Sequence, residues 1–402
     1  MSRRRIQWPR ASVLLAIGMV LLAANLRPAA AAVGPLIDRI RADTGLSATG
    51  AGVLTTLPVL CFGALAPLAP ALARRFGERT TAALALVVLL AGLLVRLVPG
   101  LGFLFFGTAL AGAAIAVGNV LLPVLVRVNF PERIGLLTSM YTTALVGFAA
   151  LAAGISVPVA DAFGGGWRPG LAIWALPAAV ALAVWAPQLG RRRPAAPSPA
   201  GQVTGIRPLL RDPVAWAVTL FFAAQSAGFY ATLAWLPSVF HSHGVSTSNA
   251  GFLLSLSLIV GLLPALTVPS LAARAPDQRV FVLVFVTMIA VGWLGIILAP
   301  TTAPYLWVVI LGIGQNACFP LALTMIVLRG GTVTSTAGLS TLVQTVGYLI
   351  AAMAPLAIGA VHDLTGSWTP ALIMLLALVV PQTIIGLAAA RNRTVTPAPA
   401  PA

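Results

Sequence analysis

The 402-residue sequence contains no lysine, eight acidic residues, three histidines and two cysteines. These shortages exclude most catalytic chemistry, because proton transfer and metal binding draw mainly on Asp, Glu, His and Cys. The acids Asp38, Asp43, Glu78, Glu132, Asp161, Asp212, Asp277 and Asp363 all map to loops or to the ends of long apolar runs. His241 and His243 share one loop without the further ligands that a metal site needs. Cys61 and Cys318 lie inside apolar runs, so neither a disulfide framework nor a metal-ligand spacing is present. No enzymatic activity, metal or cofactor is expected. A sensor would need a soluble output domain, and the longest polar segment is only residues 188–212.

What is present is hydrocarbon. The chain is 59% hydrophobic and 8% charged, too apolar to cover a soluble surface. Runs of about 20 apolar residues, the length that crosses a bilayer core, recur along it. Twelve spans are expected, at 12–37, 48–73, 80–98, 102–127, 134–159, 169–187, 213–239, 248–273, 279–299, 303–328, 335–361 and 368–390. The start "MSRRRIQWPRASVLLA" resembles a twin-arginine signal, but its apolar run exceeds the ~7–15 residues of a signal core. It reads as a retained first span.

A net charge of +16 suggests nucleic acid, but its distribution argues otherwise. All 24 basic residues are arginines, and nineteen fall on one side if the N-terminus is cytoplasmic. The opposite side holds Arg39, Arg41 and Arg168, while Arg27 and Arg96 lie within spans. Such asymmetry is the positive-inside rule, and it puts both termini in the cytoplasm. The expected partners are a lipid bilayer and a small-molecule substrate, not nucleic acid, and a monomer is expected.

Residues 188–212, rich in Pro, Ala and Arg, read as a cytoplasmic linker between halves 1–187 and 213–402. The halves repeat each other. Gly45 and Gly52 fall on Gly244 and Gly251, Asn119-x-x-x-Pro123 on Asn316-x-x-x-Pro320, and Asp161 on Asp363. Six spans per copy make these parallel repeats about an axis along the membrane normal. The fold class is therefore an all-α membrane protein, with twelve spans in two pseudo-symmetric six-helix halves.

Polar residues follow a period of three. Spans 3, 6, 9 and 12 are nearly pure hydrocarbon, whereas spans 1, 4, 7 and 10 carry buried amides and Arg27. Polar groups in hydrocarbon are costly, so the latter spans should line a central cavity. Arg27 lies near the bilayer midplane with no carboxylate at its depth. A substrate anion would complement it through charge-assisted hydrogen bonds, and a structural network of carbonyls and amides is the alternative. The repeat places Arg27 on Ser226 and Leu26 on Gln225, so the second half offers a neutral polar position. One cation suits a small monovalent anion or a polar neutral solute better than a dianion.

The substrate-binding candidates are Asn25, Arg27, Asn119, Tyr141, Gln225, Tyr230, Gln315, Asn316, Gln344 and Tyr348. For each amide, a helix–helix tie is the competing reading. Trp235 reads as an interfacial anchor, and Arg96, near the outer end of span 3, is expected to snorkel.

The segments "NLRPA" (25–29), "LAPLAPALARRFGERT" (65–80), "FPERIGLLTSMYTTAL" (130–145), "WLPSVFHSHGVS" (235–246) and "STLVQTVGYLIAAMAPLAIGAVHDLTGSW" (340–368) carry a family likeness. They resemble the cyanate permease / 2-nitroimidazole transporter family of the major facilitator superfamily. The resemblance implies a secondary carrier of the bacterial cytoplasmic membrane that works by alternating access. It implies cyanate-like anions or nitroimidazole-like compounds as solutes, with a broad-specificity drug exporter as the alternative. It also implies a cytoplasmic gate at Arg74, Arg75, Gly77 and Arg79. Arg75, Gly77 and Arg79 match the superfamily's motif. Arg74 stands at its usual aspartate and Pro70 at its usual glycine, so these residues do not support the usual charge relay there.

Overall fold

The structure is a computed structural model and describes residues 10–189 and 209–395. The linker expected at 188–212 falls mostly outside the described residues. So do Arg3, Arg4, Arg5, Arg191, Arg192, Arg193 and Arg207. The described residues contain helices and no strand, as a lipid-embedded backbone requires. Twelve helices are long and apolar enough to cross a membrane. They are α1 (Ser12–Ala31), α2 (Ala48–Leu65), α3 (Glu78–Val95), α4 (Leu101–Val126), α5 (Leu136–Ala162) and α6 (Trp167–Gln188). The second half follows with α7 (Pro213–Ser242), α8 (Thr247–Arg274), α9 (Arg279–Leu298), α10 (Pro304–Gly330), α11 (Ser335–Thr365) and α12 (Trp368–Ala389). An even number of crossings puts residue 10 and residue 395 on one face, called the near face below. The far face carries Asp38, Asp43 and Asp363.

The period of three in the polar residues has its structural counterpart. Buried residues make up 56–67% of the most apolar windows of α1, α4, α7 and α10, against 33–44% for α3, α6, α9 and α12. The first set is the most enclosed, and the second is among the least, with α5 at 39% beside it.

The internal repeat is also physical. Gly45 and Gly244 both have positive φ, +72° and +85°, a conformation that favours glycine. Each is followed by a serine that caps the next helix: Ser47 accepts from Gly50 N, and Ser246 from Asn249 N. Gly52 and Gly251 then serve equivalent crossings between the halves. A Cβ at Gly52 would lie 2.8 Å from Pro355 O on α11, and one at Gly251 would lie 2.7 Å from Ala153 O on α5. The interface between halves is therefore built twice, as α2 on α11 and α8 on α5. Pro123 and Pro320 lie inside α4 and α10 at matching positions.

The symmetry fails in the first helix of each half. Helix α1 stops at Ala24, turns through Asn25, Leu26 and Arg27, and resumes at Pro28–Ala31 and Val33–Thr44. Pro28 has no N–H to continue the ladder, and the tight bonds Asn25 N to Leu22 O and Leu26 N to Ala23 O close the turn. Helix α7 runs unbroken through Gln225 and Ser226.

Arg96 does not snorkel. It is fully buried, and its NH1 and NH2 donate to Ala29 O at 2.9 Å and Leu171 O at 3.3 Å. The end of α3 is rotated inward against α1 and α6, and the guanidinium satisfies carbonyls beside the breaks of those helices. Arg96→Ala should therefore destabilise the protein by about 2–4 kcal/mol, because each dried carbonyl costs roughly 1–3 kcal/mol. Arg96→Lys should restore part of this. Thermal unfolding in detergent measures the effect, and an unchanged midpoint for Arg96→Ala would refute this role.

Candidate functional site

The break in α1 delivers Arg27 to the centre of the bundle. Its NH1 donates to Tyr230 Oη on α7 at 3.0 Å, across the interface between halves. The guanidinium carbon lies 5.9 Å from the centroid of the Phe229 ring. Arg27 Nε is buried without a hydrogen-bond partner. A central arginine costs about 2.5–3.5 kcal/mol on insertion scales. A bond to a charged group returns about 1.5–3 kcal/mol and a ring about 0.5–1 kcal/mol. These terms are comparable, so the charge is tolerable with one neutral partner and one edge still unsatisfied.

Around it stands a cluster of rings. Tyr230 lies 6.3 Å from Phe62 on α2 and 6.3 Å from Tyr348 on α11. Phe62 and Tyr348 meet edge to face at 5.7 Å, and Phe222 approaches Tyr348 at 5.0 Å. Phe319 on α10 extends the cluster from Phe222 at 5.8 Å. Apart from Tyr230 and Tyr348, these rings were not expected from the sequence. A signal exists for part of the set, since Phe222, Phe229 and Tyr230 are spaced i, i+7, i+8 along α7, one face of a helix.

The other expected residues divide. Tyr230 and Tyr348 join the arginine. Asn25 faces α6 instead, donating to Leu21 O at 2.8 Å and Pro177 O at 3.1 Å. Asn316 braces α8, donating to Ser257 O at 3.0 Å and Gly312 O at 2.8 Å. Gln315 donates to Thr232 Oγ1 at 2.9 Å, tying α10 to α7. Gln225 accepts from its neighbour Ser226 at 3.1 Å, and both are buried. Gln344 donates to Ser340 Oγ at 2.9 Å on its own helix. Asn119, Tyr141 and Gln344 are half-buried. Trp235 is not an interfacial anchor. It is 2% exposed, its Nε1 donates to Pro355 O at 2.8 Å, and its ring packs 5.1 Å from Trp368.

At the near face, Gly77 has φ +84° and ends the segment Leu68–Phe76. Arg74 and Arg75 are exposed in the last turn of that segment, where cations suit the helix dipole. Arg79 donates to Asn129 Oδ1 at 2.9 Å, joining the near ends of α3 and α4. These contacts lie within the first half.

Hydrogen bonds between the halves form at the Arg27 level and beyond it toward the far face. Asp363 accepts from Ala48 N at 2.8 Å, and from Thr49 N and Thr49 Oγ1 at 2.6 Å each. It thus caps the positive end of α2 with a carboxylate from α11. Ser238 donates to Asp38 at 2.8 Å, and Thr56 donates to Ala352 O at 2.8 Å. A Cβ at Gly34 would lie 2.1 Å from Leu233 O, so α1 and α7 touch backbone to backbone. The far side of the site is closed.

Residues 13–355 match the Major Facilitator Superfamily. The chain belongs to that superfamily. Within it, the uncharacterized transporter YycB of Bacillus subtilis (strain 168) is 41% identical over 383 residues, covering 95% of this chain and 94% of its own. The 2-nitroimidazole transporter of Escherichia coli (strain K12) is 36% identical over 95% of this chain and 97% of its own. The cyanate transport protein CynX of the same organism is 32% identical over 87% and 90%. The chain is therefore a transporter of the cyanate and nitroimidazole subgroup. Among solved structures, the nucleoside transporter NupG superposes with a TM-score of 0.76 at 13% identity, covering 93% of this chain and 99% of that one. A D-xylose–proton symporter gives 0.72 at 15% identity, covering 93% and 95%. These two share the fold.

The far-face contacts carry a conformational expectation. Asp363→Ala removes three hydrogen bonds between the halves and should raise the share of molecules open to the far face. Thr55 on α2 lines a small cavity with Pro58 and Tyr230, and in a variant lacking Cys61 and Cys318 a Thr55→Cys thiol should then react several-fold faster with an impermeant maleimide added from that face. Equal rates with and without Asp363 would show that the carboxylate is no latch.

Proposed function

We propose that this protein is a secondary carrier of the cytoplasmic membrane that moves a small anionic or polar solute by alternating access. The observation that supports it most is Arg27, a charge at the midplane with one neutral hydrogen-bond partner and no carboxylate at its depth. A guanidinium is always charged and presents a planar fork of donors, which suits a carboxylate-like or nitro-like edge. The relative named for 2-nitroimidazole suggests a small planar solute with such an edge, and the one named for cyanate a small linear anion. The near face is the cytoplasmic one on this reading, by the positive-inside rule applied to the arginines. With the far-face contacts made, the site would then open toward the cytoplasm.

The site holds no proton carrier of its own. Seven of the eight acids and all three histidines lie in loops or near helix ends, Asp38 lies within Val33–Thr44 eleven residues beyond Arg27, and Arg27 does not deprotonate. Transport is then uniport, exchange, or symport in which the proton rides on the solute.

Uptake by purified protein in liposomes, across a panel of small anions that includes cyanate and 2-nitroimidazole, tests this reading. Arg27→Ala should lower uptake by about 100-fold, in line with truncating one partner of a charge pair. Arg27→Lys should recover less than a tenth, because the planar fork is lost. A folded Arg27→Ala protein with normal uptake would sink the proposal. For coupling, a pH gradient should not concentrate a solute whose ionisation lies far from the test pH. If it does, and the combined variant Asp38→Asn, His362→Gln, Asp363→Asn abolishes accumulation but not exchange, a protein-borne relay exists.

A further inference from the structure

We infer that Arg96 is a positioning residue for transport: it fixes the broken segment of α1 so that the Arg27 guanidinium meets Tyr230 across the seam between halves. This rests on the reading of Arg27 as the anion anchor and goes further, by naming the group that sets the anchor's place.

The chain around Arg27 is held at two points, one on each side. Two residues before it, Asn25 donates to Pro177 O on α6 at 3.1 Å. Two residues after it, Ala29 O accepts from Arg96 NH1 at 2.9 Å. The turn that Arg96 grips is built on Arg27 itself, since Ala30 N and Ala31 N donate to Arg27 O at 3.1 and 3.0 Å. A shift of Ala29 therefore carries the Arg27 backbone with it. Arg96 NH2 donates to Leu171 O at 3.3 Å, which ties the same turn to α6 a second time.

Arg96 can serve as a fixed point because its own backbone is fixed. A Cβ at Gly107 on α4 would lie 2.5 Å from Arg96 N, and one at Gly92 on α3 would lie 2.7 Å from Gly107 O. The end of α3 thus lies backbone to backbone on α4. Arg96 is also fully buried, so water does not compete for its bonds.

The repeat shows that this arginine goes with the break and not with the helix that carries it. Gly292 packs on Leu311 as Gly92 packs on Ala111: a Cβ would lie 2.9 Å from Leu311 N and 2.7 Å from Ala111 N. The same register sets Arg96 on Ile296, which is buried and apolar. In that half the first helix, α7, runs unbroken, and Ser226 stands where the first half has Arg27. Both arginines belong to the half with the broken helix, and both positions are uncharged in the other.

Cross-linking between the halves of the purified full-length protein tests the inference. In a background lacking Cys61 and Cys318, Arg27→Cys is combined with Tyr230→Cys, and as a control Asp38→Cys with Ser238→Cys. The control positions also meet across the seam, where Ser238 donates to Asp38 at 2.8 Å. Their α1 segment has its own tie, the ion pair of Arg39 with Asp161 at 2.7 Å. A short bismaleimide reads the rate at each pair. Arg96→Met should slow the 27/230 reaction at least about fivefold and the 38/238 reaction less than about twofold, because the rate follows the effective concentration of the paired thiols. Arg96→Lys keeps a donor but not the fork, and it should slow the 27/230 reaction alone, by about two- to threefold. This milder variant decides the matter where Arg96→Met does not fold. Equal slowing at both pairs would mean that Arg96 only strengthens the bundle, and the inference would fall. An unchanged 27/230 rate in either folded variant would overturn it as well. The cross-link reports where residue 27 lies, whatever Arg27 binds. Its outcome is therefore separate from that of the Arg27→Ala uptake measurement, which tests the anchor reading.

Discussion

A guanidinium in the break of the first apolar helix, bonded to a neutral hydroxyl, constrains the rest of this protein. The charge cannot be removed by titration, and the side chain is only partly exposed. It must be accommodated by neutral dipoles, π-faces or a solute. The break at Asn25–Arg27 and the proline that enforces it put the side chain against α7. The partner it finds there, Tyr230, belongs to the other half of the molecule. The electrostatic problem of one helix is therefore tied to the packing of two bundles, and a motion of one half against the other changes the environment of the charge.

The two bundles are copies, and the copying explains how they close. Each contributes a glycine that lets backbones touch, Gly52 against Pro355 and Gly251 against Ala153. Each opens its second helix with a left-handed glycine and a serine cap. Pairs of equivalent interfaces about one axis allow rocking in which neither half is distorted. The departures from symmetry then mark specialised positions. Asp363 caps the α2 N-terminus of the opposite half, whereas its counterpart Asp161 pairs with Arg39 of its own half at 2.7 Å. Arg27 is charged, and its counterpart Ser226 is neutral and self-satisfied.

Much of this was legible in the sequence because membranes simplify the physics. Depth follows from counting residues along an apolar span, and the lipid-facing helices follow from where polar groups are missing. What depth does not give is azimuth. Arg96 sits at the depth where snorkelling is cheap, but the end of its helix is turned toward Ala29 and Leu171 rather than water. Trp235 sits near the depth of an aromatic belt, but it faces Pro355 and Trp368 inside the bundle. Asn25 and Asn316 are central in depth, yet each turns to a neighbouring helix and braces a carbonyl. Phe62 and Phe319 lay hidden because a phenylalanine in an apolar span carries no contrast against its neighbours. Only α7, with rings at 222, 229 and 230, concentrated them on one face.

The arginines inside the protein differ in what they bond. Arg96 donates to carbonyls beside two helix breaks, one of them on the short turn that follows Arg27 in α1. Arg329 donates to Ala389 O at 3.0 Å and Ala390 O at 2.9 Å, carbonyls freed where α12 ends, and also to Gln278. Both arginines satisfy backbone carbonyls beside helix ends or breaks. Arg27 has the same opportunity, since it lies in a helix break of its own, yet it donates to a hydroxyl on the opposite bundle. A guanidinium that served only to repair its own helix would turn back onto the carbonyls of α1. Arg27 instead reaches across the interface between halves to Tyr230; its Nε is unpartnered, as is that of Arg96, so the bond across the interface is what sets it apart.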